Sequence, residues 1–518
     1  MRTDKFATAA DAVASIESGR TVAVGGSGHL LQVPDALMAA LRARFDSEGA
    51  PRDLVVVHSM GLGDNADAGL ERFAARGMVK RFIGSHYGHN PGLMEQIAAG
   101  EVEAFAIPGG VLSQLYREIA GGRPGLVTRT GLGTYVDPRI EGGRMSDITP
   151  GTIAEVLELQ GREWLFYPSF PIHVGLIRAT TADRFGNLSM EDEAGFADNL
   201  ALASAVHNSG GIVIAEVKYV TERGVLPPAQ VRVPGILVDR VVLEPLQRQT
   251  AATEYSPYRA GRLRAPAAAQ LPLPEGPRKI IARRAAKEVR RGDVVNLGFG
   301  ISTGVAAVLQ EAGLDDAITF SVEQGIIGGV PGTGLDSGTA VNADAFIDEG
   351  AQFDLYDGGS LDVCCVSFGE VDQRGDVNVS RLGDIAVGPG GFINITQNAK
   401  RLLFCGTFTG GGLRVSTVDG RLVIDQEGRY RKFVPSVRQI TFSAAEALRQ
   451  GLTILYITER AVLQMTEAGM VVLEVAPGID LQRDVIDQVG FPVMVADDLK
   501  TMAPDVLGFV PMELPQLA

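Results

Sequence analysis

Cysteine is scarce in this chain, which has only Cys364, Cys365 and Cys405 among its 518 residues. Three cysteines cannot build a disulfide framework, which favours a reducing compartment. All six histidines precede the first cysteine, so no Cys/His cluster has the spacing of a zinc site. His86 and His89 form a lone H-x-x-H pair, for which a polar loop is the simpler interpretation. We therefore expect no metal site.

Positive charge and long apolar runs are also lacking. The net charge is −15, whereas a nucleic-acid-binding protein normally carries a basic stripe. No apolar run reaches 18 residues, and the first 15 residues lack the apolar core of a signal peptide. These absences predict a cytoplasmic protein that binds neither nucleic acid nor membrane.

Glycine, by contrast, is abundant, with 64 residues, many of them in short runs between apolar segments. Such runs suit the tight turns between strands and helices. The short apolar runs Thr21–Val24, Leu54–His58, Val174–Ile177 and Ile212–Val217 alternate with helical stretches. This alternation predicts an α/β fold with parallel strands, and the chain length calls for at least two domains.

The second half of the chain begins again like the first. A proline-rich segment, residues 247–279, interrupts the pattern and is predicted to be a linker. After it, the strand Val294–Leu297 leads into Gly298-Phe299-Gly300, as Thr21–Val24 led into Gly25-Gly26-Ser27-Gly28. Two further pairs of short, similar segments follow in the same order in the two halves. We therefore predict two related open α/β domains, 1–246 and 280–518, with the active site at their interface.

A carboxylate stands at the most informative turn of the sequence. The apolar strand ending at Val322 runs into Glu323-Gln324-Gly325, followed by Ile326-Ile327-Gly328-Gly329. Ligands of open α/β sheets collect where strands end, and glycine lets other backbone come close. A poorly hydrated carboxylate at such a place can act as a nucleophile, although a solvated corner is the simpler alternative.

Two other glycine-rich turns are candidates for binding. Gly298-Phe299-Gly300 precedes a helical stretch and could hold a phosphate, but it does not complete a dinucleotide fingerprint. Gly390-Gly391 could present N–H groups to a developing oxyanion, with a simple turn as the alternative. The acids of Asp354–Gly359 are interpreted as part of a solvated loop.

These motifs together resemble class I coenzyme A transferases of the fused-subunit acetate/propionate type. The marker of that family is a Ser/Thr-x-Glu-x-Gly turn followed by two apolar residues and glycine, which Ser321–Gly328 matches. The stretches Val295–Gly300, Phe353–Gly359, Gly390–Ile395 and Gly131–Pro138 are also similar. The resemblance covers essentially the whole chain in the family's order.

The resemblance implies a role for each matched position. Glu323, in the C-terminal domain, is expected to be the nucleophile that becomes a glutamyl-CoA thioester, and Gly391 the glycine whose N–H stabilises the oxyanion. The remaining implied site residues are glycines: Gly25, Gly26, Gly28, Gly109 and Gly390 around the oxyanion and acyl group, and Gly298, Gly300 and Gly325 toward CoA.

One position departs from the family pattern. Where the family usually has Pro-Gln-Gly, this chain has Pro108-Gly109-Gly110, so an oxyanion-hole amide is missing. Gln114, Gln32 or a water molecule could replace it, or the reaction could be altered. Ser337 stands where a larger residue is expected, which bears on the shape of the acyl pocket.

The implied reaction transfers CoA from a short-chain acyl-CoA to a carboxylic acid by a ping-pong mechanism. CoA is a substrate, and no permanently bound cofactor is expected. The resemblance also implies a homodimer or homotetramer. An acyl-CoA hydrolase on the same fold is the nearest alternative, suggested by Gly109, and an NAD(P)-dependent oxidoreductase is a more distant one.

Overall fold

The computed structural model describes residues 5–266, 273–508 and 510–517. Its α-helices are α1 (Ala9–Val13), α2 (Asp35–Glu48), α3 (Pro91–Ala98), α4 (Gly109–Ala120), α5 (Asn199–Asn208), α6 (Pro277–Ala286), α7 (Gly304–Glu311), α8 (Glu349–Asp357), α9 (Phe392–Gln397) and α10 (Ala444–Arg449). Short 3₁₀ turns cover Leu70–Phe73, Pro228–Gln230, Gly235–Leu237, Ile301–Thr303, Asp315–Ala317, Gly334–Asp336, Ile486–Gln488 and Pro515–Leu517, and a π-helical turn covers Leu481–Val485.

The strands of the first half are β1 (Thr21–Val24), β2 (Leu54–His58), β3 (Val79–Gly84), β4 (Glu103–Ala106), β5 (Gly125–Thr128), β6 (Glu155–Leu159), β7 (Arg162–Pro168), β8 (Val174–Asp183), β9 (Leu188–Ser189), β10 (Ile212–Thr221), β11 (Val231–Val233) and β12 (Arg240–Leu243). Those of the second half are β13 (Val294–Leu297), β14 (Thr319–Val322), β15 (Ile326–Ile327), β16 (Val330–Pro331), β17 (Ala340–Val341), β18 (Ala345–Phe346), β19 (Val363–Ser367), β20 (Glu370–Asp372), β21 (Val377–Asn378), β22 (Arg381–Leu382), β23 (Ile385–Ala386), β24 (Arg401–Cys405), β25 (Thr409–Gly410), β26 (Arg414–Val418), β27 (Arg421–Gln426), β28 (Tyr430–Arg431), β29 (Phe433–Val434), β30 (Thr453–Ile457), β31 (Ala461–Thr466), β32 (Gly469–Val475) and β33 (Met494–Thr501).

Contacts between Cα atoms divide the chain into two compact units. The first contains residues 1–265 together with 322–354 and 384–394, and the second contains 266–321, 355–383 and 395–518. Spatial packing therefore groups two segments of the C-terminal half with the N-terminal half, and Glu323 belongs to the first unit. The linear domains 1–246 and 280–518 stay a prediction.

The first unit is built on a mostly parallel sheet. β8 is its central strand, since it pairs with β1 on one side and β10 on the other, and β1 continues through β2 and β3 to β4. All ten residues of β8 are buried, as expected of a parallel strand covered on both faces. β9 and β11 add antiparallel strands beside β8, and β5, β7 and β6 form a separate antiparallel sheet.

The second unit repeats this arrangement. β13 pairs in parallel with β14 and β19, β19 with β24 and β24 with β30, and the antiparallel strands β31 and β32 extend the sheet. The order β14-β13-β19-β24 corresponds to β2-β1-β8-β10 of the first unit. Rings of Phe368, Phe404, Phe433 and Tyr456 pack together against this sheet. The predicted α/β class with two related domains is confirmed.

One local prediction is wrong, and another stays a prediction. Asp354 and Asp357, predicted to lie in a solvated loop, belong to helix α8, because Phe353 and Tyr356 are buried and draw the segment into a helical turn. The linker 247–279 stays a prediction, and its residues up to 265 group with the first unit, where Arg259 forms an ion pair with Asp336 at 2.9 Å. Residues 267–272 of that linker lie outside the described residues.

The central strand yields a stability prediction. Leu176 is fully buried in β8, between Val24 of β1 and Ile214 of β10. Leu176→Ala should lower the free energy of unfolding of the first unit by about 2–5 kcal/mol, because it leaves a cavity in a packed core. Urea denaturation measures this change. Leu246→Ala, at a side chain that is 85% exposed, is the control and should stay within about 0.5 kcal/mol of wild type.

Candidate active site

Glu323 begins a tight turn directly after β14. The N–H of Gly325 donates to the carbonyl of Val322 at 3.1 Å, and the N–H of Ile347 donates to the carbonyl of Gly325 at 2.8 Å. Gly325 has a φ of +88°, and a Cβ there would lie 2.1 Å from the Ile347 carbonyl oxygen. Only glycine fits this position. The turn therefore holds Glu323 rigidly, and Gly325 serves that geometry whatever else it contacts.

Gln324 is a site residue to which the sequence assigned no role. Its side-chain Nε2 donates to Oε1 of Glu323 at 3.2 Å and to Oγ of Ser27 at 3.1 Å. Gln324 is 2% exposed and Ser27 is fully buried, so both contacts are shielded from water. The amide is thus fixed beside one carboxylate oxygen of Glu323.

Gly391 lies against the other oxygen of Glu323. A Cβ at residue 391 would come within 1.8 Å of Glu323 Oε2, a distance that only glycine permits. The described residues provide no hydrogen-bond partner for that oxygen. Gly391 and Oε2 of Glu323 therefore lie directly against each other, and their roles as oxyanion-stabilising glycine and nucleophile stay predictions.

Backbone hydrogen bonds hold the loop that carries Gly390 and Gly391. The N–H of Gly390 donates to the carbonyl of Ser85 at 3.0 Å, and the N–H of Gly109 donates to the carbonyl of Gly390 at 2.8 Å. The N–H of Tyr87 donates to the carbonyl of Val387 at 2.7 Å. The structure therefore brings Gly109, Gly390, Gly391 and Glu323 together.

The first glycine loop reaches the same place. Gly25 donates its N–H to the Leu176 carbonyl at 2.9 Å, and a Cβ on Gly26 would lie 2.8 Å from the Gln32 carbonyl oxygen. Gly28 lies beside Ser337: a Cβ on Gly28 would be 3.3 Å from the Ser337 carbonyl oxygen. Ser27, in the middle of this loop, accepts a hydrogen bond from the Gln324 amide, which also donates to Glu323. The Gln324 side chain therefore joins the loop to Glu323.

Methionine occupies the direction in which a residue 109 side chain would point. A Cβ on Gly109 would lie 2.6 Å from Cε and 2.8 Å from Sδ of Met60. Gln114, one alternative donor, bonds to Asp354 at 3.1 Å, and Gln32, another, donates to the Gly195 carbonyl at 2.6 Å. Gln324 is instead the glutamine whose amide contacts Glu323.

Gly298 and Gly300 belong to the second unit. They follow β13, where a Cβ on Gly298 would lie 2.9 Å from Cγ1 of Val366 and where Gly300 has a φ of +93°. The Ser367 hydroxyl donates to the Phe299 carbonyl at 2.9 Å, and the Phe299 side chain is 46% exposed. The loop is thus a fixed, accessible turn, and its contact with CoA stays a prediction, as does that of Gly325.

Burial controls the charge of Glu323. The residue is 9% exposed, and burial raises the pKa of its carboxyl to about 7, against a small opposing effect of the Gln324 hydrogen bond. No cationic group contributes to this shift. A carboxylate without a counter-ion or a full hydration shell is more reactive toward a carbonyl carbon than a solvated one.

Four histidines gather near this loop system. The rings of His29 and His89 are 4.1 Å apart and those of His86 and His89 are 4.7 Å apart, while His58 stacks edge-on against Tyr87. Burial lowers the pKa of His58 and of His86 to about 4, so both are neutral at pH 7. Within the described ranges, no group of three or more His, Cys, Asp or Glu side chains is arranged to hold a metal ion.

Comparison with known proteins agrees with this geometry. The coenzyme A transferase family model matches residues 6–244. The chain is 42% identical over 506 residues to caffeate CoA-transferase of Acetobacterium woodii, covering 96% of each chain. It is 40% identical over 496 residues to acetate CoA-transferase YdiF of Escherichia coli K12, covering 96% of this chain and 93% of that one.

The solved structures give the same result. The apoenzyme of the acyl-CoA transferase YdiF from Escherichia coli O157:H7 matches with a TM-score of 0.94 and 39% identity, over 98% of this chain and 97% of that one. A thioester complex of the same enzyme with CoA matches with a TM-score of 0.93. The chain belongs to the coenzyme A transferase family and is a CoA-transferase. Among the helices described, none is long and apolar enough to span a membrane.

The contact at Gly391 can be tested directly. Gly391→Ala should reduce CoA transfer by at least about 100-fold, because the new Cβ displaces the Glu323 carboxylate from its position. Steady-state transfer rates and thermal unfolding separate this effect from loss of fold. Gly410→Ala is the matched control, because a Cβ there would meet its nearest neighbour at an ordinary 3.5 Å. Full activity in Gly391→Ala would contradict the proposed proximity.

Proposed function

We propose that this enzyme transfers CoA from a short-chain acyl-CoA to a carboxylic acid through a glutamyl-CoA thioester on Glu323. The observation that carries the proposal is the environment of the carboxylate. Its Oε1 is held by the Gln324 amide, and its buried Oε2 lies against Gly391 with neither a hydrogen-bond partner nor a counter-ion among the residues that the structure describes.

The proposed reaction follows from this placement. Oε2 of Glu323 attacks the carbonyl carbon of the acyl-CoA, and the C–S bond breaks to release CoA thiolate and an acyl-glutamyl anhydride. The thiolate then attacks the glutamyl carbonyl, which forms the enzyme thioester and frees the first acid as a carboxylate. A second acid reverses both steps. The two thioesters have similar free energies of hydrolysis, so the exchange requires neither ATP nor a metal ion.

We propose that two groups stabilise the oxyanions. The backbone of Gly391 faces Oε2, and the Gln324 amide already contacts Oε1, which becomes the carbonyl oxygen of the glutamyl thioester. Donors fixed in a water-poor site stabilise developing charge strongly, since they need no reorganisation. We propose that Gln324 takes over the work of the amide that family members have at position 109.

The hydrolase alternative depended on extra space at Gly109. Met60 and the Ser59 carbonyl fill the direction in which that side chain would point. This packing favours exclusion of water and therefore transfer over hydrolysis. The oxidoreductase alternative receives no support from the relatives, which are named as CoA-transferases.

The identity of the substrates is also a proposal. One relative is named for acetate and another for caffeate, which differ greatly in size. Ser337, beside Gly28, is a small residue next to the glycine loop. We propose short aliphatic acids as the substrates of this chain, to be checked with a panel of acyl-CoAs and acids.

The cellular setting and assembly are also proposals. All three cysteines are buried free thiols, which supports a reducing, cytoplasmic location. A homodimer or homotetramer is proposed on the family resemblance, and light scattering of the purified protein measures it.

The thioester gives a direct test of Glu323. Incubation with acetyl-CoA or propionyl-CoA alone should add one CoA mass to the peptide that contains Glu323. Glu323→Gln should abolish both the adduct and CoA transfer while the protein stays folded, because the amide is a poor nucleophile. Glu467→Gln, at an exposed acid, is the matched control and should remain active. Turnover without an adduct on this peptide would refute the mechanism.

The raised pKa of Glu323 predicts a pH dependence. The nucleophile is the ionised carboxylate, whose pKa is about 7, so the single-turnover rate of thioester formation should rise with pH through about 7 and then level off. Rapid-quench mass spectrometry at several pH values measures this rate. A rate independent of pH between about 5.5 and 8.5 would show that burial does not control the nucleophile.

A further inference from the structure

Helix α8 places a second buried carboxyl beside the Glu323 turn. The chain reaches α8 through Ile347, whose N–H binds the Gly325 carbonyl at 2.8 Å, and Glu349 follows two residues later. One turn further along α8, Phe353 packs against Gly391, the glycine that lies against Glu323. A Cβ on Gly391 would lie 3.2 Å from Cζ of Phe353. Residues four apart share a helix face, so Glu349 lies on the face of α8 that is turned to the active site.

Asp198 forms a pair with Glu349. The N–H of Glu349 donates to the carbonyl of Ala197 at 2.9 Å, which brings the two acids to adjacent positions. Glu349 is fully buried and Asp198 is 1% exposed. Among the described residues, none of their four carboxyl oxygens has a hydrogen bond of acceptable geometry. We refer to Asp198 and Glu349 as the buried carboxyl pair.

Three uncharged polar side chains lie beside the pair. Ser59 and Ser113 lie close enough to Asp198 to lower the pKa of its carboxyl, although neither hydroxyl reaches it with hydrogen-bond geometry. The hydroxyl of Tyr116, one turn along α4 from Ser113, is also buried without a hydrogen-bond partner in the described chain. Asp198 and Glu349 both raise the pKa of that phenol, which places it beside the pair.

The charged groups around the pair do not neutralise it. Asp348 adds a like charge beside Asp198, and the nearby cations Arg117 and Arg232 act on Asp348. Arg117 is itself paired with Asp354. No cation is among the groups that shift the pKa of Glu349 or of Asp198. The pair therefore has acids as its main electrostatic neighbours.

Three buried acids without a cation cannot all be ionised at moderate pH. Burial and the charges of Asp198 and Glu323 raise the pKa of Glu349 well above its usual range, and burial raises the pKa of Asp198 to about 6. Like charges held together out of water repel strongly. When Glu323 carries its negative charge, the pair therefore retains a proton.

We propose that the buried carboxyl pair holds a proton while Glu323 is a carboxylate and releases it when Glu323 becomes a CoA thioester. This inference rests on the proposed nucleophilic role of Glu323. The acyl-CoA and the Glu323 carboxylate become the glutamyl thioester and a free carboxylate, so Glu323 loses its charge to the departing acid. The repulsion on the pair then falls and its proton passes to solvent, so the three acids together carry two negative charges before and after the step.

Thermodynamic reciprocity adds a consequence. If thioester formation releases a proton, a higher pH favours the thioester by the same coupling. The equilibrium ratio of thioester to free enzyme should rise with pH, by up to about tenfold per unit, until the pair is ionised in both states. Glu349 and Asp198 are thus positioning residues that act through the charge of Glu323 and do not touch the substrate.

Proton release can be counted during thioester formation. Enzyme is mixed with acetyl-CoA or propionyl-CoA in weak buffer at about pH 8.5, where a Glu323 carboxyl with a pKa of about 7 is already ionised. An indicator dye should report a rapid burst approaching one proton for each thioester counted by mass spectrometry. Glu349→Gln should still form the thioester but lose most of the burst, and so should Asp198→Asn.

Two controls isolate the pair. Glu216→Gln changes another buried acid, whose pKa burial raises to about 8. Its charged neighbours are Arg178 and Asp35, and Glu323 is not among the groups that shift its pKa. Its burst should equal that of wild type. Glu323→Gln should show only slow acid release from hydrolysis of acyl-CoA.

The possible outcomes separate this inference from the proposed function. A wild-type thioester without a proton burst, or an undiminished burst in Glu349→Gln, would overturn the inference and leave the glutamyl thioester intact. Absence of the thioester itself would instead refute the role of Glu323. Should the variants not fold, infrared difference spectra of wild-type enzyme still decide, because thioester formation must remove a protonated-carboxyl band.

Discussion

A carboxylate buried without a cation is the constraint on which the site depends. Glu323 is 9% exposed, and the groups that hold it are an amide, a glycine backbone and a turn fixed by backbone hydrogen bonds. A counter-ion would stabilise the carboxylate but would also weaken it as a nucleophile. The first unit therefore holds the carboxylate in place by sterics and neutral hydrogen bonds, and under the proposed mechanism its burial keeps it reactive.

The glycines around Glu323 follow from the same constraint. A Cβ at Gly391 or Gly325 would overlap atoms that hold the carboxylate, at 1.8 Å and 2.1 Å respectively. Close approach of backbone replaces the charged side chains that an exposed anion site would use. Chain segments distant in sequence meet at this point, since the Ser27 loop, the Ser85 segment and the Gly390 loop all contact it or each other. Packing of the parallel sheet around β8 fixes the strand ends from which the first two of these segments emerge.

The buried carboxyl pair and Glu323 together form a charge-coupled group. A nucleophile that changes from charged to neutral in each cycle alters the field at every nearby acid. Burial amplifies the change, because water cannot screen it. Asp198 and Glu349 are separated from Glu323 by 125 and 26 positions in the sequence, yet the charges of Glu323 and Asp198 both act on Glu349. Under the proposed mechanism, the covalent intermediate on Glu323 is thus linked to the protonation of Asp198 and Glu349, which do not react.

Local sequence determined the α/β class and the strands β1, β2 and β13, because periodicity and glycine turns are short-range signals. The Ser-x-Glu-x-Gly motif is equally local and led to the proposal of Glu323 as the reactive acid. It did not determine that residues 354–357 are helical, that residues 322–354 pack with the first unit, or that Met60 fills the space at Gly109. Nor did local sequence determine the hydrogen-bond partners of Gln324 or the proximity of Asp198 to Glu349. Those facts depend on contacts between residues far apart in the chain, and only folding brings such residues together and removes the water that would otherwise separate their charges.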